Sequence, residues 1–536
     1  MVHKSLRDSA QTGLPAMLKL SPQAAAAHAA NRVGGPNQPA CYAPFTSMYF
    51  DQFGNVLACC INTIHTMGSY PSQSLADIWS SERARELRDS LAAGDFSLGC
   101  YDCHSSISSG NFNAVNALFD QQVLETPAEW VVENPPVADD QRDTWPRMLE
   151  FALSTRCNLT CTMCSGSYSS AIRKAEGLDP LPEIYGEEFV HELRPFLERV
   201  TDVRFYGGEP FLAPVNFAIL ELLCEVNPSC KVSITTNGTI WNQRVQRIVE
   251  VLQPTIVVSI DAFTTEGFES IRVGASREKV FANLEQFSQV EGCQVSLAVC
   301  AMRQNWHEIP DLVRFANSNS LHLGFNVVRY PQDHSLSSAT AEELSEAIAL
   351  WEQLLQEQSS LRVPLLSQPG QENLRRIEGI LSEARGWLAA TADQTQGLEI
   401  RSSSASAARD RRRDWLELLS KLAATTYNSD ALLTEAAFEL ELTHVLAEFD
   451  QKVAPQNMAG QLATAIAEFS DRPLIPAELD RFDQLAATLA TSAVTPRIRL
   501  MTGLPPALIV DGVINMDPKV LAARFDSYFP PERNHP

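Results

Sequence analysis

The chain has 536 residues, of which 45% are hydrophobic, and it carries a net charge of −23 at pH 7. This length predicts two or three domains that each bury a core, and the acidic balance argues against a nucleic-acid partner, whose phosphates are normally bound by basic side chains. No apolar run is as long as a membrane span, and the first 40 residues lack the apolar core of a signal peptide, so we expect no membrane partner.

The first part of the chain predicts a tail followed by a small α+β region. Residues 1–38 are polar and rich in alanine, which is typical of a flexible tail. Two stretches rich in Tyr, Phe, Val and Leu flank a turn at residues 52–55 and predict a β-hairpin. Residues 74–94 have apolar side chains at helical spacing and predict a helix that stops at Gly94.

Four cysteines mark this region: Cys41 before the hairpin, Cys59 or Cys60 at its end, and a C-x2-C pair formed by Cys100 and Cys103. Clustered cysteines in a large chain without a signal peptide are typical of metal or catalytic ligands, which also indicates the reducing cytoplasm. Four thiolates fit a fully ligated iron–sulfur cluster or a structural zinc, and their spacing does not decide between the two. We expect Cys59 to be the ligand rather than Cys60, because neighbouring strand residues point to opposite faces.

A predicted helix at residues 106–123 and a proline-rich linker at 131–146 lead into a region of alternating strands and helices. Short apolar stretches that alternate with amphipathic helices predict a parallel β/α architecture. Six such units predict a partial or closed barrel, whose chemistry lies at the carboxyl ends of its strands. The strand candidates are residues 148–154, 203–206, 231–236, 255–260, 294–301 and 324–328.

The loop after the first of these strands carries Cys157, Cys161 and Cys164 with the spacing C-x3-C-x2-C. Three thiolates on one short loop can bind three irons of a [4Fe-4S] cube and leave the fourth iron open to a small molecule, whereas closed clusters usually have four cysteine ligands. The alternative is a zinc loop, but zinc sites usually combine two C-x2-C pairs or add histidines. The spacing therefore favours a reactive cluster at the edge of the predicted sheet.

Polar and glycine-rich loops follow the next three strands at the same predicted edge. A GGEP motif at residues 207–210 offers two glycines, which let a backbone approach a ligand closely, and a carboxylate for an ammonium group. Asn237 follows the third strand, and Ser259 and Asp261 bracket the end of the fourth. Each segment alone is typical of an ordinary turn, but their placement after successive strands indicates a single site.

The last two hundred residues predict a mostly helical region in which we find no recognisable chemistry. The segment at 336–361 predicts a strong helix, because Ser and Thr at its start are followed by early glutamates. Further helices are predicted around residues 370–390, 410–424, 430–450, 456–470, 476–491 and 518–525.

The four cysteines outside the two groups are expected to be buried core residues, as free cysteines commonly are. They are Cys224, Cys230, Cys293 and Cys300.

The motifs between residues 40 and 330 resemble those of a known enzyme family. The C-x3-C-x2-C loop after the first strand, GGEP after the second, and the later segments TTNGT and VVSIDAF resemble the radical S-adenosylmethionine (SAM) superfamily. The region from Cys41 to Cys103 resembles the SPASM/twitch auxiliary-cluster module, in which G-x-V-x-x-C, here ending at Cys59, leads into Asp-Ile-Trp and C-x2-C. This resemblance favours a cluster over zinc, and Cys59 over Cys60.

The resemblance also implies a domain organisation. It implies a partial (β/α)6 barrel at residues 146–332, preceded by the auxiliary-cluster domain at 39–145 and the tail at 1–38, and followed by a helical region of unknown role at 333–536. The family usually places the auxiliary module after the barrel, and fuller modules hold two clusters. Here the module comes first, and its four cysteines allow one cluster.

The roles of individual residues follow from the same resemblance. Cys157, Cys161 and Cys164 are implied to hold a [4Fe-4S] cluster whose open iron binds SAM. A second, auxiliary [4Fe-4S] cluster is implied at Cys41, Cys59, Cys100 and Cys103. The residues implied to bind SAM are Gly207, Gly208, Glu209, Pro210, Asn237, Ser259, Asp261 and Arg272.

The implied activity is reductive cleavage of SAM to a 5′-deoxyadenosyl radical, which abstracts a hydrogen from the substrate. The electron is expected from an external one-electron reductant such as flavodoxin or ferredoxin, and Asp261 is a candidate catalytic base. Our leading hypothesis is a maturase that modifies a peptide or protein, such as a ribosomally made natural-product precursor. The alternatives are an oxidoreductase that acts on a sugar or another small metabolite, and a non-catalytic iron–sulfur scaffold or binding protein.

Overall fold

The computed structural model describes residues 18–32, 39–63, 65–108, 145–328, 331–360 and 368–397, with a few residues between 110 and 122. Its centre is a nine-stranded sheet in the order β3-β2-β1-β4-β5-β6-β7-β8-β9. The strands are β1 (Ser47–Phe50), β2 (Asn55–Leu57), β3 (Gly68–Ser69), β4 (Met148–Phe151), β5 (Asp202–Phe205), β6 (Lys231–Thr236), β7 (Thr255–Ser259), β8 (Gln294–Ala301) and β9 (His322–Val327).

Seven neighbouring strands, β1 and β4 to β9, run parallel, and β2 and β3 add an antiparallel edge. Strands β4 to β9 follow one another in chain order in one direction across the sheet. Because crossovers between parallel strands are right-handed, this order places the connecting helices on one face. The arrangement is that of a partial (β/α)6 barrel, and the predicted α/β fold class is confirmed.

The helices alternate with the barrel strands as predicted, with one helix between most successive strands and two between β4 and β5 and between β7 and β8. No helix in the described ranges is long and apolar enough to cross a membrane. The helices are α1 (Pro22–Asn31), α2 (Ala43–Thr46), α3 (Leu75–Trp79), α4 (Glu82–Ala92), α5 (Tyr101–Ser108), α6 (Ser170–Ala175), α7 (Glu187–Leu197), α8 (Pro214–Val226), α9 (Gln243–Leu252), α10 (Thr265–Ile271), α11 (Arg277–Gln289), α12 (Ile309–Ser318), α13 (Ala341–Ser360) and α14 (Gln368–Gly397).

The barrel strands have one apolar face and one polar face. On the apolar face, side chains such as Val203, Phe205, Ile234 and Ile256 are fully buried, as expected where the crossover helices cover the sheet. A barrel interior is usually filled by packed branched side chains, but here the opposite face carries small and polar residues that are mostly half-buried. This polar face includes Glu150, Arg204, Ser233, Thr235, Ser259, Ser296, Ala298 and Gly324, together with the apolar Val257.

The predicted hairpin forms β1 and β2, with Phe50 opposite Val56. It is not a separate sheet, because β1 also pairs in parallel with β4 and places Phe50 beside Phe151. The ring of Phe50 lies 5.4 Å from the rings of both Phe151 and Phe189 on α7, measured between centroids. This pairing gives hydrogen-bond partners to the edge of β4, which would otherwise be open. It also connects the N-terminal cysteine region to β4, the strand that precedes the C-x3-C-x2-C motif.

The predicted helices differ from the structure in their details. The single helix expected at 74–94 is divided into α3 and α4, because the Ser81 hydroxyl accepts the backbone N–H of Ala84 at 3.0 Å and caps α4. Gly94 ends this segment with φ +68°, as expected. The helix predicted at 370–390 is present as α14. Most of the helix at 106–123 and of the linker at 131–146, and the helices predicted beyond residue 409, lie outside the described residues.

Helix α13 shows why the sequence predicted its start. The Thr340 hydroxyl accepts the backbone N–H of Glu343 at 3.2 Å, and the Glu343 carboxylate accepts the backbone N–H of Thr340 at 2.7 Å. These reciprocal bonds form a capping box, which satisfies backbone donors that a helix leaves free at its first turn. A short 3-10 turn at Leu336–Ser338 precedes the box, so the helix begins a few residues later than the sequence predicted.

Candidate functional site

The cysteine loop, residues 152–169, leaves the carboxyl end of β4 and carries the three cysteines of the C-x3-C-x2-C motif. Its backbone is attached to the end of α10. The N–H of Thr160 donates to the carbonyl of Val273, and the N–H of Thr162 donates to the carbonyl of Ile271, each at 3.0 Å. The loop therefore has a fixed place at the carboxyl edge of the sheet, where chemistry is expected in this architecture.

The three thiols of the cysteine loop lie within electrostatic reach of one another. Burial raises the pKa of Cys161 to about 11 and the pKa of Cys164 to about 12, and neighbouring thiols add to the rise because thiolates repel each other. Burial also raises the pKa of Cys157. Because iron binds the thiolate form, a cluster bound here would displace the protons of these thiols.

The GGEP motif packs directly against the cysteine loop. The N–H of Gly208 donates to the carbonyl of Ser154 at 3.0 Å, and the N–H of Glu209 donates to the carbonyl of Arg156 at 2.7 Å. A Cβ atom on Gly208 would lie 2.3 Å from that Arg156 oxygen, and Gly207 has a φ of +101°. Both positions therefore require glycine for the contact between the two loops, a role that the sequence did not indicate.

The Glu209 carboxylate is buried and already accepts several hydrogen bonds. One oxygen accepts from the Thr236 hydroxyl at 2.8 Å and from the N–H of Phe211 at 3.0 Å, and the other accepts from the N–H of Asn237 at 2.7 Å. Burial raises the pKa of Glu209, and these donors limit the rise. The carboxylate thus connects the loops after β5 and β6, and a contact with a ligand's ammonium group would add to these bonds. Pro210 begins the 3-10 turn that follows.

Asn237 connects the loop after β6 to the cysteine loop. Its Nδ2 atom donates to Oδ1 of Asn158 at 2.9 Å and lies 3.9 Å from the sulfur of Cys157. The Thr239 hydroxyl donates to Oδ1 of Asn237 at 2.7 Å and accepts from Nδ2 of Asn158 at 3.0 Å. Amide donors beside a ligand sulfur orient and tune a metal-bound thiolate. Asn158 and Thr239 were not among the predicted site residues, because side-chain amides and hydroxyls are common in turns.

Asp261 and Arg272 form a buried ion pair, with Oδ2 of Asp261 2.7 Å from a guanidinium nitrogen of Arg272. Asp261 is 0% exposed, and its other oxygen accepts the N–H of Cys300 at 2.7 Å. The Arg272 charge acts on the cysteine loop, where it lowers the otherwise raised pKa of Cys161. The buried ion pair can hold β8 and α10 in place. A catalytic base must reach the substrate, which a fully buried carboxylate does not. Ser259, by contrast, lies half-buried on the polar face.

The four predicted auxiliary ligands line one cavity. Cys41, Cys59, Cys100 and Cys103 all contribute to its wall, whereas Cys60 is exposed. Burial and the neighbouring thiols raise the pKa of Cys41 and of Cys100. No three histidine, cysteine or acidic side chains of the described ranges are arranged to hold a single metal ion, so the fit to a cluster rests on the shared cavity and the number of thiols. Much of the remaining wall is apolar and includes Leu87, Leu91, Phe96 and Phe119.

A polar group on the polar face was not among the predicted site residues. Glu150 on β4 is 1% exposed, accepts the Tyr206 hydroxyl at 3.1 Å, and stands beside Arg204 in the sheet register. Burial raises the pKa of Glu150 to about 6, and the Arg204 charge limits the rise. Charged residues in otherwise apolar strands, Glu150 in MLEF and Arg204 in DVRF, were the signal that could have revealed this group.

Two protein-family models match the chain. Residues 151–316 match the radical SAM superfamily, and residues 41–104 match SPASM, an iron-sulfur cluster-binding domain. The first range contains the cysteine loop, the GGEP motif and the Asn237 loop. The second contains Cys41, Cys59, Cys100 and Cys103. The SPASM range precedes the radical SAM range in the chain, as the sequence analysis predicted.

The chain is also similar to curated relatives over part of its length. It is 25% identical over 191 residues to the GTP 3′,8-cyclase of Limosilactobacillus fermentum, which covers 35% of this chain and 55% of the relative. It is 22% identical over 203 residues to molybdenum cofactor biosynthesis protein 1 of Dictyostelium discoideum, which covers 38% of this chain and 31% of the relative. The chain thus spans about half of the first relative and a third of the second.

Solved structures give weaker similarity. SAM-bound anSMEcpe matches at 18% identity and a TM-score of 0.31, over 39% of this chain and 60% of that chain. SuiB of Streptococcus suis, bound to its precursor peptide SuiA, matches at 15% identity and a TM-score of 0.32, over 49% and 60% of the two chains. Similarity at this level adds no argument about this chain.

The family matches imply a [4Fe-4S] cluster, an auxiliary cluster and SAM as cofactors. The two groups of cysteine thiols, and the hydrogen-bonded loops after β4, β5 and β6, fit these cofactors. The radical SAM match implies an enzyme that carries out radical chemistry. Residues 151–316 are therefore identified as a radical SAM domain, which is preceded in the chain by an N-terminal SPASM iron–sulfur domain at residues 41–104.

Proposed function

We propose that this enzyme modifies a peptide or protein substrate, with a reactive cluster on the cysteine loop and a second cluster at the four N-terminal cysteines. One observation carries the proposal. The cysteine loop, the GGEP motif and the Asn237 loop meet at one edge of the sheet and are hydrogen-bonded to one another. The cavity lined by four further thiols supports the second cluster.

Each part of this edge has a proposed role. Cys157, Cys161 and Cys164 would bind three irons and leave the fourth for SAM. The GGEP backbone, Asn237 and Ser259 would line the SAM position, while the Asp261–Arg272 ion pair holds α10 beside the cysteine loop. When bound, the cluster and SAM supply a carbon-centred radical that removes a hydrogen atom from the substrate, and the protein orients the reactants and excludes water.

The polar face of the sheet is the proposed place for the substrate. It extends over β4 to β9 and offers hydroxyl, carboxylate and guanidinium groups on several strands. A wide surface with many separate hydrogen-bonding groups favours a substrate that presents many such groups along its length, as a peptide does. The half-buried Arg204 and Tyr206 side chains would contact its polar groups, and Cys59 would place the auxiliary cluster close by.

A second candidate substrate is a sugar, a nucleotide or another small metabolite. Sequence relatives named GTP 3′,8-cyclase support this candidate, although they match only about a third of this chain. A non-catalytic iron–sulfur scaffold is the remaining alternative, and the retained GGEP motif and three-cysteine loop argue against it. An external reductant such as flavodoxin or ferredoxin is proposed as the electron source for either substrate class.

The test needs a peptide substrate, and the first candidate to try is any short peptide that a neighbouring gene encodes. The reconstituted protein is incubated without oxygen with SAM, dithionite and this peptide. We expect more 5′-deoxyadenosine in the presence of the peptide, and a product that has lost two hydrogens or, after epimerisation in D₂O, has gained deuterium. A Cys161→Ala variant should leave the peptide unchanged. An unmodified peptide, together with turnover of a nucleotide or sugar, would favour the second candidate instead.

A further inference from the structure

Asn62 lies between two of the four thiols that line the auxiliary cavity. Its backbone N–H donates to the sulfur of Cys59, and its side-chain Nδ2 atom donates to the sulfur of Cys100, each at 3.4 Å. A single residue thus donates hydrogen bonds to two of the proposed ligands. The backbone N–H of Ala43 donates to a third thiol, that of Cys41, at 3.3 Å. Asn62 lies in the cavity wall, and its side-chain amide presents an N–H group to this set of sulfurs.

The side-chain amide of Asn62 is held in one orientation. Its Oδ1 atom accepts the backbone N–H of His65 at 3.0 Å, and Nδ2 also donates to the carbonyl of Leu98 at 2.8 Å. The amide has two N–H donors, so one serves Leu98 and the other serves the sulfur of Cys100. The residue is only 2% exposed, so water does not compete for these bonds. A flipped amide would place its oxygen against both Leu98 and the sulfur, and would lose all three bonds.

Such donors change the electron affinity of a cluster. Adding an electron increases the negative charge on the cluster and its sulfurs, and hydrogen bonds to those sulfurs stabilise that charge and raise the reduction potential. The apolar wall formed by Leu87, Leu91, Phe96 and Phe119 acts in the opposite direction, because a low-dielectric surrounding disfavours added charge. Within this wall, a fixed N–H donor has a large effect, since few other groups screen it.

We propose that the Asn62 side chain tunes the reduction potential of the auxiliary cluster by donating an N–H bond to the sulfur of Cys100. The proposal rests on the auxiliary cluster of the proposed function and adds the residue that tunes it. A higher potential favours a cluster that accepts electrons during turnover over one that is reduced only by a strong external donor. Asn62 would not bind the cluster itself and would act on it through the sulfur of Cys100.

The test isolates the auxiliary cluster. A full-length variant with Cys157, Cys161 and Cys164 each changed to Ala keeps only the four N-terminal cysteines as proposed ligands. Asn62→Leu removes the amide at nearly constant volume, and Asn62→Asp keeps the shape but replaces the donor with an oxygen. Ser90→Ala is the matched control, because it removes a hydrogen bond to the carbonyl of Asp95 in the neighbouring helix–loop segment. The midpoint potential is measured by a redox titration followed by electron paramagnetic resonance.

We expect both Asn62 variants to have a more negative midpoint potential than the parent, with the larger change for Asp because it also adds negative charge. Ser90→Ala should keep the parent potential. The proposal is overturned if either Asn62 variant holds a complete cluster at the parent potential. A parent that contains zinc or no cluster refutes the auxiliary cluster itself, which is a failure of the proposed function rather than of the role of Asn62.

Discussion

Glu209 is the carboxylate on which the loops at the carboxyl edge of the sheet depend. Its two oxygens accept bonds from Thr236, Phe211 and Asn237, so the charge is distributed over three fixed donors. We predict that Glu209→Gln lowers the rate of 5′-deoxyadenosine formation about 10-fold to 100-fold, because a lost hydrogen bond to a buried charge is worth about 1.5–3 kcal/mol.

The control for this prediction is an exposed carboxylate in the same domain. Glu221 forms an ion pair with Arg244 in which both side chains are about half exposed, and such pairs contribute little. Glu221→Gln should keep the rate of the unaltered protein within about twofold. Equal rates for the two variants would show that the bonds of Glu209 do not support the proposed SAM position.

Glu150 predicts a pH dependence of stability. Its pKa is raised to about 6 by burial, so the folded protein holds this proton more tightly than the unfolded chain. The protonated Glu150 side chain therefore stabilises the folded state fully at pH values below the ordinary pKa of a glutamate. This contribution is lost as the pH rises through about 6. By linkage the loss is about 2 kcal/mol.

The prediction is tested by comparing midpoint temperatures of unfolding at pH 5 and pH 7.5. Glu150→Gln removes the titrating group and keeps an acceptor for the Tyr206 hydroxyl. We expect the variant to lose less thermal stability than the unaltered protein between the two pH values. An equal decrease of the midpoint temperature in both proteins would show that other titrating groups cause the pH dependence.

At the scale of elements, the close contact between the GGEP motif and the cysteine loop can be broken by one methyl group. Gly208→Ala places a Cβ atom 2.3 Å from the Arg156 oxygen, which forces the two loops apart. We predict a loss of about 1–3 kcal/mol of stability, the usual effect of overpacking, and a lower iron content at the cysteine loop. Gly379→Ala in α14 is the control, since its Cβ atom would have no heavy atom within 4 Å and alanine suits a helix interior, so this variant should lower neither property.

Local patterns in the sequence were sufficient to predict most of these elements. The barrel strands appeared as apolar runs because their helix-covered face carries residues such as Phe205 and Ile256. The capping box at Thr340 and Glu343 revealed the start of α13. The parallel pairing of β1 with β4 was not predicted, because it joins segments about a hundred residues apart, and nothing in either strand identifies its partner.

The site was predictable to the extent that its chemistry is carried by residue type and spacing. Three cysteines at C-x3-C-x2-C spacing favour a cluster with an open iron, and one short loop is enough to bring their thiols together. The role of Asp261 stays a prediction, and the sequence does not reveal that a buried Arg272 forms an ion pair with it. Asn62 was overlooked for the same reason: an asparagine after a strand is typical of a turn, and only the structure brings its amide to the sulfur of Cys100.

At the scale of the whole molecule, the two cysteine groups predict two independent clusters. We expect about eight irons and eight sulfides per chain in the reconstituted protein, and about four of each after Cys157, Cys161 and Cys164 are changed to Ala. Cys230→Ala, which alters a buried cysteine outside both groups, should keep the full content. Zinc in place of the remaining irons would identify the N-terminal group as a structural metal site.

The central claim is that the cysteine loop holds a cluster whose open iron binds and reduces SAM. The most direct measurement is anaerobic incubation of the reconstituted protein with SAM and dithionite, followed by quantification of 5′-deoxyadenosine. The account predicts that 5′-deoxyadenosine forms in the unaltered protein and is absent in the Cys157→Ala, Cys161→Ala and Cys164→Ala variants. A protein with an intact cluster at the cysteine loop that forms no 5′-deoxyadenosine would contradict it.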